Sequence, residues 1–309
     1  MGECTLCDLS HFGLIRIHGE DARQLLQGQL TNDIEKVTPS ISQLSSYCSP
    51  KGRMLASFRV IERHGDLLLM LPAERLETTL KRLQMFVLMS KAELSDASAD
   101  LVGIEISGEC AAGLLPIDPP AEDDGVSTLD DYTVIRIPGD RPRFQVLGPH
   151  KAMQALWTEA AQTATPISHR LWQLLDIRAG IPTVVDATAE AFVPQMANLQ
   201  ALKGVSFTKG CYTGQEIVAR MQYLGKLKRR MYRAKIDSPQ QPQPGDELFS
   251  EHSASGQGTG KVVSAAPSPE GGYEILAVIE ISAADAGKVH LGDPAGPQLQ
   301  FLDLPYELS

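Results

Sequence analysis

The sequence predicts an α+β protein that ends in a small β-barrel. Three observations carry this. Strand-like alternation and helix-like periodicity are interspersed without the regular βαβ rhythm of a parallel, doubly wound sheet. Residues 237–245, DSPQQPQPG, are rich in Pro and Gln and read as a linker or long turn. Beyond them the composition shifts to short strands separated by Gly, Pro and Ser, which suits a terminal barrel or sandwich. At 309 residues and 43% hydrophobic content the chain can build two or three domains with real cores. The composition divides it into residues 1–236 and 237–309.

The elements follow in order. FGLIRIHG is a strand in which Ile15 and Ile17 alternate against Arg16 and His18, and Gly19 turns the chain into a helical EDARQLLQGQL with Leu25, Leu26 and Leu30 on one face. SPKG is a turn, and the following RMLASFRVIERHGDLLLMLP predicts two strands that meet around Arg63 and Asp66. After Pro72, Leu76, Leu80, Leu83 and Val87 keep helical spacing. YTVIRIPGDRPRFQVLG predicts a hairpin; HKAMQALWTEAAQ and SHRLWQLLDIRAG predict helices, the second capped by Ser168. GTGKVVSAAPS and GGYEILAVIEIS are the strands of the terminal part, and no internal repeat is present.

Composition also excludes some functions. The first twenty residues lack a basic start followed by an apolar stretch, and no run approaches the roughly 18 apolar residues of a membrane span. A cytoplasmic protein with no membrane partner is expected. Five scattered cysteines do not form a secreted disulfide framework, so reduced thiols are expected. Cys4 and Cys7 form a lone C-x-x-C at what reads as a frayed terminus; with no second pair nearby, no metal site is expected. The net charge of −10 argues against a general nucleic-acid binder. Yet residues 201–235 hold nine Lys or Arg against one acid, Glu216, a local net of plus 8. That segment either draws an anionic ligand or partner or is a solvated, alternating strand.

Within it lies FTKGCYTGQEIVAR, residues 207–220. Thr213 and Glu216 have capping-box spacing, and Ile217, Val218 and Met221 begin an apolar face, so a helix is expected from Gln215. The free amides of its first turn, with Lys209 upstream, favour an anion. Cys211 at this end would have its thiolate favoured by the helix dipole and by Lys209 or Arg220, although the motif offers no His as its base. The rival readings are a plain capped turn and a small buried thiol that only fills space.

KGCYTGQE, residues 209–216, resembles the signature of the YgfZ family of folate-binding proteins, which share a fold with the glycine-cleavage T-protein, an aminomethyltransferase. Further blocks match in the family's order: GEDARQLLQGQLTND at 19–33, PKGRMLASFRV at 50–60, IRAGIP at 177–182, FVPQMANLQALKGVSF at 192–207 and LPYEL at the end. The resemblance implies a three-domain ring, with two interleaved α+β folate-binding domains over residues 1–236 and the barrel last. It implies a site for tetrahydrofolate or a derivative at Phe12, Trp172, Asn32, Asp33, Arg178 and Tyr212, with Phe12 and Trp172 facing a flat pterin. Anion or partner contacts are expected at Lys51, Arg53, Lys209, Gln215, Glu216 and Arg220, and a functional thiol at Cys211. The implied function is a folate-binding accessory factor for iron–sulfur enzymes and their assembly proteins, including enzymes that modify tRNA, with tRNA contact through the 201–235 segment. The alternatives are a tetrahydrofolate-dependent aminomethyltransferase and a docking scaffold with a vestigial site. Two departures weigh against the transferase: Ala56 and Ser57 stand where the T-protein places an aspartate, and Arg178 stands where it places a pterin-contacting glutamate.

Overall fold

The computed structural model describes residues 4–88, 90–253 and 258–308. The chain opens with β1 (Thr5–Asp8), β2 (Phe12–His18), α1 (Ala22–Gln27), β3 (Gln43–Cys48), β4 (Met54–Arg63), β5 (Asp66–Pro72), α2 (Ala73–Gln84) and β6 (Glu93–Asp96). It continues through β7 (Leu101–Ser107), β8 (Val126–Leu129), β9 (Tyr132–Arg136), β10 (Arg143–Pro149), α3 (His150–Ala160), β11 (Thr165–Ile167) and α4 (His169–Arg178). After a long stretch of turns come α5 (Gln215–Tyr223), β12 (Arg229–Ile236), β13 (Glu247–Phe249), β14 (Gly260–Pro267), β15 (Tyr273–Glu280), α6 (Ile281–Ala286), β16 (His290–Leu291) and β17 (Leu299–Leu302).

Contacts group the chain into two compact units. One comprises residues 1–45, 58–172 and 208–212; the other comprises 46–57, 173–207 and 213–309. The chain therefore crosses between units inside β3, β4 and α4, and twice around the KGCY stretch.

In the first unit, one six-stranded sheet has the order β11-β1-β7-β10-β9-β8. Leu6, Ile104, Ile106, Val134, Phe144 and Val146 form its core with Met153, Leu156 and Ala160 of α3. The order β3-β4-β5-β2-β6 makes a five-stranded sheet, with the expected strand pair meeting at Arg63 and Asp66. Two predicted helices are shorter than their spacing suggests. α1 stops at Gln27, yet Leu30 remains fully buried just beyond it; α2 stops at Gln84, and Val87 lies in the turn that follows.

The N-terminal segment corrects two expectations. It is not frayed: β1 pairs in parallel with β11 and antiparallel with β7. Nor are all thiols reduced, because Cys4 is joined to Cys110 across 106 positions of sequence. Strand periodicity explains why Cys4 and Cys7 do not act together. Residues three apart on a strand point to opposite faces, so Cys4 joins the core with Leu6 while Cys7 lies buried elsewhere.

The second unit contains a curled half-barrel sheet of order β16-β13-β14-β15-β12-β17, with a register shift between Val262 and Ser264. The run ILAVI in β15 is continuously apolar because both faces are covered. Ile275, Ala277 and Ile279 enter one core, whereas Leu276 and Val278 enter another with Leu174 and Ile177 of α4 and Val218 of α5. Among the described residues no helix is long and apolar enough to cross a membrane.

Candidate functional site

The helix behind the cysteine begins at Gln215, as its spacing predicts, but the expected capping box is absent. The cap is Gly214, which has no side chain to offer and adopts a left-handed φ of 85°. That conformation moves the cap one residue past Thr213. It also brings backbone against backbone: a Cβ on Gly214 would lie 2.5 Å from the Ser49 carbonyl oxygen and 3.0 Å from Gly52 Cα. The PKG turn, carrying exposed Lys51, is therefore seated against the start of α5. Exposed Glu216 supplies negative charge to the helix start, and exposed Arg220 lies in its last turn. Gly214→Ala combines a left-handed alanine with a clash against backbone, and is expected to lower the unfolding free energy by about 2 kcal/mol. Urea midpoints check this; an unchanged midpoint would mean that the two turns separate freely.

Upstream, in the first unit, Lys209 turns inward rather than toward an outside anion. Its Nζ donates to the carbonyls of Leu30 at 2.7 Å and Asn32 at 2.9 Å, and lies 5.2 Å from the Tyr212 ring centroid. Burial pulls its pKa down to about 8, with the Asp33 carboxylate opposing. Asn32, 6% exposed, uses its side chain locally: Nδ2 donates to Leu44 O, and Oδ1 accepts from the Asp33 amide. Asp33 Oδ1 accepts from Gln27 Nε2 and the Glu35 amide. Tyr212 is buried, but Cys211 between these anchors is exposed. The reading of Cys211 as a buried space-filler is thus overturned. Cys7 and Cys48 are the buried free thiols, and burial pushes each up to about 12.

Phe12 and Trp172 also meet within the first unit, edge to face, with centroids 5.5 Å apart and ring planes at 85°. Phe12 is half-buried and lines a cavity of about 410 Å³ together with Leu14, Met70, Leu147, Met153 and Trp157. Trp172 is only 3% exposed. His11 packs on both, 4.6 Å from Phe12 and 5.0 Å from Trp172, and lies 5.3 Å from His169. Burial and then His169 hold His11 down to about 4, against the pull of Asp8. Trp172 Nε1 is buried without a hydrogen-bond partner among the described residues, whereas the buried His11 imidazole interacts with the Asp8 backbone. Beneath Trp172 lies Arg143, 0% exposed, with Cζ 5.8 Å from the ring. Its Nε donates to Glu105 Oε1 at 2.9 Å, and Gln145 Nε2 donates to Glu105 Oε2 at 3.2 Å.

In the second unit Arg178 is held by a carboxylate of the half-barrel. Its Nε and Nη2 donate to Glu274 Oε1 at 3.1 and 2.6 Å, while Arg233 takes Oε2. Burial opposes the Glu274 charge, yet the bonds from both guanidinium groups prevail and hold its carboxyl below the usual range. Arg53 Nη1 donates to Ala191 O at 2.6 Å. Ala56 is fully buried, and Ser57 Oγ accepts from the Val184 amide at 2.9 Å. The basic segment is partly neutralised by acids outside it: Arg233 meets Glu274 and Lys235 meets Glu270, while Lys203, Arg220, Lys226 and Lys228 are exposed. Two matched blocks come together through Tyr306 of LPYEL, whose hydroxyl donates to Gly180 O of IRAG at 2.8 Å. The left-handed Gly180, φ 68°, has no room for a Cβ, which would stand 2.6 Å from the tyrosine ring.

Sequence reasoning did not identify His11, His169 or the Arg143–Glu105 pair. His11 was legible as the residue before a matched aromatic. Glu105 and Arg143 were legible as charges inside the apolar strands β7 and β10, where an isolated charge demands a partner.

The sequence profile of the GCVT N-terminal domain matches residues 2–117. The fold is similar to that of the glycine cleavage system aminomethyltransferase T from Bartonella henselae, with a TM-score of 0.72, 17% identity, and coverage of 98% of this chain and 86% of that one. In sequence the chain is 30% identical over 307 residues to the tRNA-modifying protein YgfZ of Sodalis glossinidius, covering 99% of this chain and 94% of that protein. It is 32% identical over 309 residues to the tRNA-modifying protein YgfZ of Colwellia psychrerythraea, again 99% of this chain and 94% of the relative. With that identity sustained along its length, the chain belongs to the YgfZ family.

Proposed function

We propose that this protein is a folate-binding accessory factor that supports tRNA modification by maintaining iron–sulfur enzymes. The observation that carries the reading is the full-length similarity to relatives named as tRNA-modifying proteins. tRNA and the enzymes that modify it reside in the cytoplasm, which is the proposed setting. Folate enters through the T-protein-like fold and the Phe12–Trp172 pair. A reduced folate, when bound, carries one-carbon units. The residues present fit such a group in part: the half-buried Phe12 ring lines a cavity, and the Trp172 ring, 3% exposed, packs edge to face against it. Asn32 and Arg178 fit less well as direct contacts, because their polar groups are engaged within the protein. Any tRNA phosphate contact in the 201–235 segment is assigned to its exposed cations, Lys203, Arg220, Lys226 and Lys228.

The transferase alternative is weakened by the buried methyl of Ala56 and the committed hydroxyl of Ser57, neither of which supplies a carboxylate. Tetrahydrofolate titration monitored by tryptophan fluorescence tests the reading. Trp172→Ala is expected to weaken binding by more than about tenfold, the loss of a stacked ring of ~1–3 kcal/mol by analogy with bases. Because Trp172 is buried, Trp172→Phe serves as the folded control that keeps a ring. Unchanged affinity in a folded Trp172→Ala protein would remove this ring from the site.

A further inference from the structure

Between Ile217 and Arg230 the chain carries five Lys or Arg and no acid, in a protein whose net charge is −10. The same stretch holds the most exposed Phe, Tyr or Trp among the described residues: Tyr223, at the last position of α5, is 67% exposed, and Leu224 beside it is 84% exposed. Core packing does not account for these two side chains. The core residue of α5 is Val218, fully buried among Met54, Leu174 and Val278. Yet Tyr223 is held in place. Its ring meets Phe207 edge to face, with centroids 6.2 Å apart and planes at 73°, and Phe207 packs on that same core. The main chain around it is fixed as well: the amides of Leu224 and Gly225 donate to Arg220 O at 3.0 and 2.8 Å, and Lys228 O accepts from the Ile281 amide at 2.9 Å. Exposed Arg220 stands one helical turn before Tyr223, and exposed Lys226 and Lys228 follow it. Arg229 is committed elsewhere, its Nη2 donating to Gly258 O at 2.8 Å.

We propose that the C-terminal end of α5 is a contact for unpaired RNA, in which a base stacks on Tyr223 while Arg220, Lys226 and Lys228 hold the flanking phosphates. A buttressed ring set among cations supplies both halves of single-strand recognition, a flat face for a base and charge for the backbone. Duplex RNA offers the same phosphates but keeps its base faces inside its own stack. The ring therefore confers the preference for unpaired nucleotides, and the cations alone do not. An acidic protein segment would satisfy the cations and leave the flat ring unused. A membrane is a poorer occupant still, because Arg220 interrupts Ile217 and Leu224 on the outer face of a nine-residue helix. The inference rests on the tRNA link proposed above and deepens it, from phosphate contact to unpaired nucleotides and a named stacking residue.

Fluorescence anisotropy tests it with a labelled, unstructured RNA of about 12 nucleotides and a duplex of the same length. Tyr223→Ser is expected to weaken single-strand binding by about fivefold or more and duplex binding by less than about twofold. Tyr223→Trp should retain the single-strand affinity. Replacing Lys226 and Lys228 together by Gln should weaken both RNAs and flatten the salt dependence. If Tyr223→Ser does not fold, as judged by circular dichroism, Tyr223→Leu carries the same comparison, keeping apolar bulk without a flat ring. Equal loss for both RNAs, or no loss for either, overturns the stacking contact. Displacement of the RNA by polyglutamate as readily as by unlabelled RNA overturns it in favour of an acidic protein segment. Binding to phosphatidylserine vesicles without binding to RNA overturns it in favour of a lipid surface. No RNA binding by wild type overturns the inference and the phosphate assignment, while the folate reading, tested by tetrahydrofolate titration, stands.

Discussion

Cys211→Ser is expected to abolish support of tRNA modification in cells that lack the native protein, while leaving the fold and tetrahydrofolate affinity unchanged. The expectation rests on position. Cys211 is exposed between two anchored neighbours: Lys209, whose ammonium binds the Leu30 and Asn32 carbonyls, and buried Tyr212. A sulfur presented to solvent by a fixed backbone contributes little packing, so its replacement by a hydroxyl leaves stability within about 0.5 kcal/mol. It has no metal cluster around it: among the described residues no group of three or more His, Cys, Asp or Glu stands close enough to hold an ion. In the unreduced native protein, alkylation should label Cys211 ahead of Cys7 and Cys48, which are buried, and Cys4 and Cys110, which are bonded to each other. Full tRNA modification with Cys211→Ser would overturn the functional thiol.

Glu105→Ala is expected to destabilise the protein by about 3–5 kcal/mol, the loss typical of stranding one member of a buried ion pair. Glu105 and Arg143 are 1% and 0% exposed, so water cannot take over from the missing carboxylate. Gln145 Nε2 loses its acceptor in the same step. Arg143 lies under Trp172, so the damage extends to the aromatic cluster and reduced folate affinity should accompany it. The double variant Glu105→Leu/Arg143→Met removes both charges and should recover much of the stability, because apolar replacement of a whole buried pair is often neutral. Urea denaturation of the three proteins decides the matter. A loss below about 1 kcal/mol for Glu105→Ala would show that the guanidinium finds solvent by local opening.

Legibility in the sequence followed the range of the interaction. The strands β2, β4, β5, β9, β10, β14 and β15 and the helices α2 to α5 were visible because alternation and 3.6-residue spacing are written in near neighbours. Their ends were less visible: α2 stops before Val87, and Leu30 is buried from a position beyond α1. The TGQE start of α5 was placed correctly, but its cap was misassigned. Thr213 and Glu216 carry the local capping pattern, whereas the left-handed Gly214 is required by the PKG turn, about 160 positions away in the chain.

The sequence by itself determined the α+β class and the signature around Cys211, and the resemblance named Phe12 and Trp172 as a candidate aromatic site. It did not place the start of the terminal sheet, because β12, Arg229–Ile236, lies ahead of the Pro- and Gln-rich turn yet pairs with β15 and β17. Only the tertiary structure decided which charges and thiols are available. Plus 8 over residues 201–235 is a sum over one segment, but Glu274 and Glu270 reach Arg233 and Lys235 from outside it. Arg178 looked like an anchor for a ligand until Glu274 took its guanidinium. Cys4 paired with Cys110 rather than with Cys7 because a strand turns residues three apart to opposite faces. His11 gained its interest only from burial beside Trp172. The physical reason is common to all four: propensity and periodicity are local properties of the chain, whereas desolvation and charge pairing depend on what the fold brings within a few ångströms.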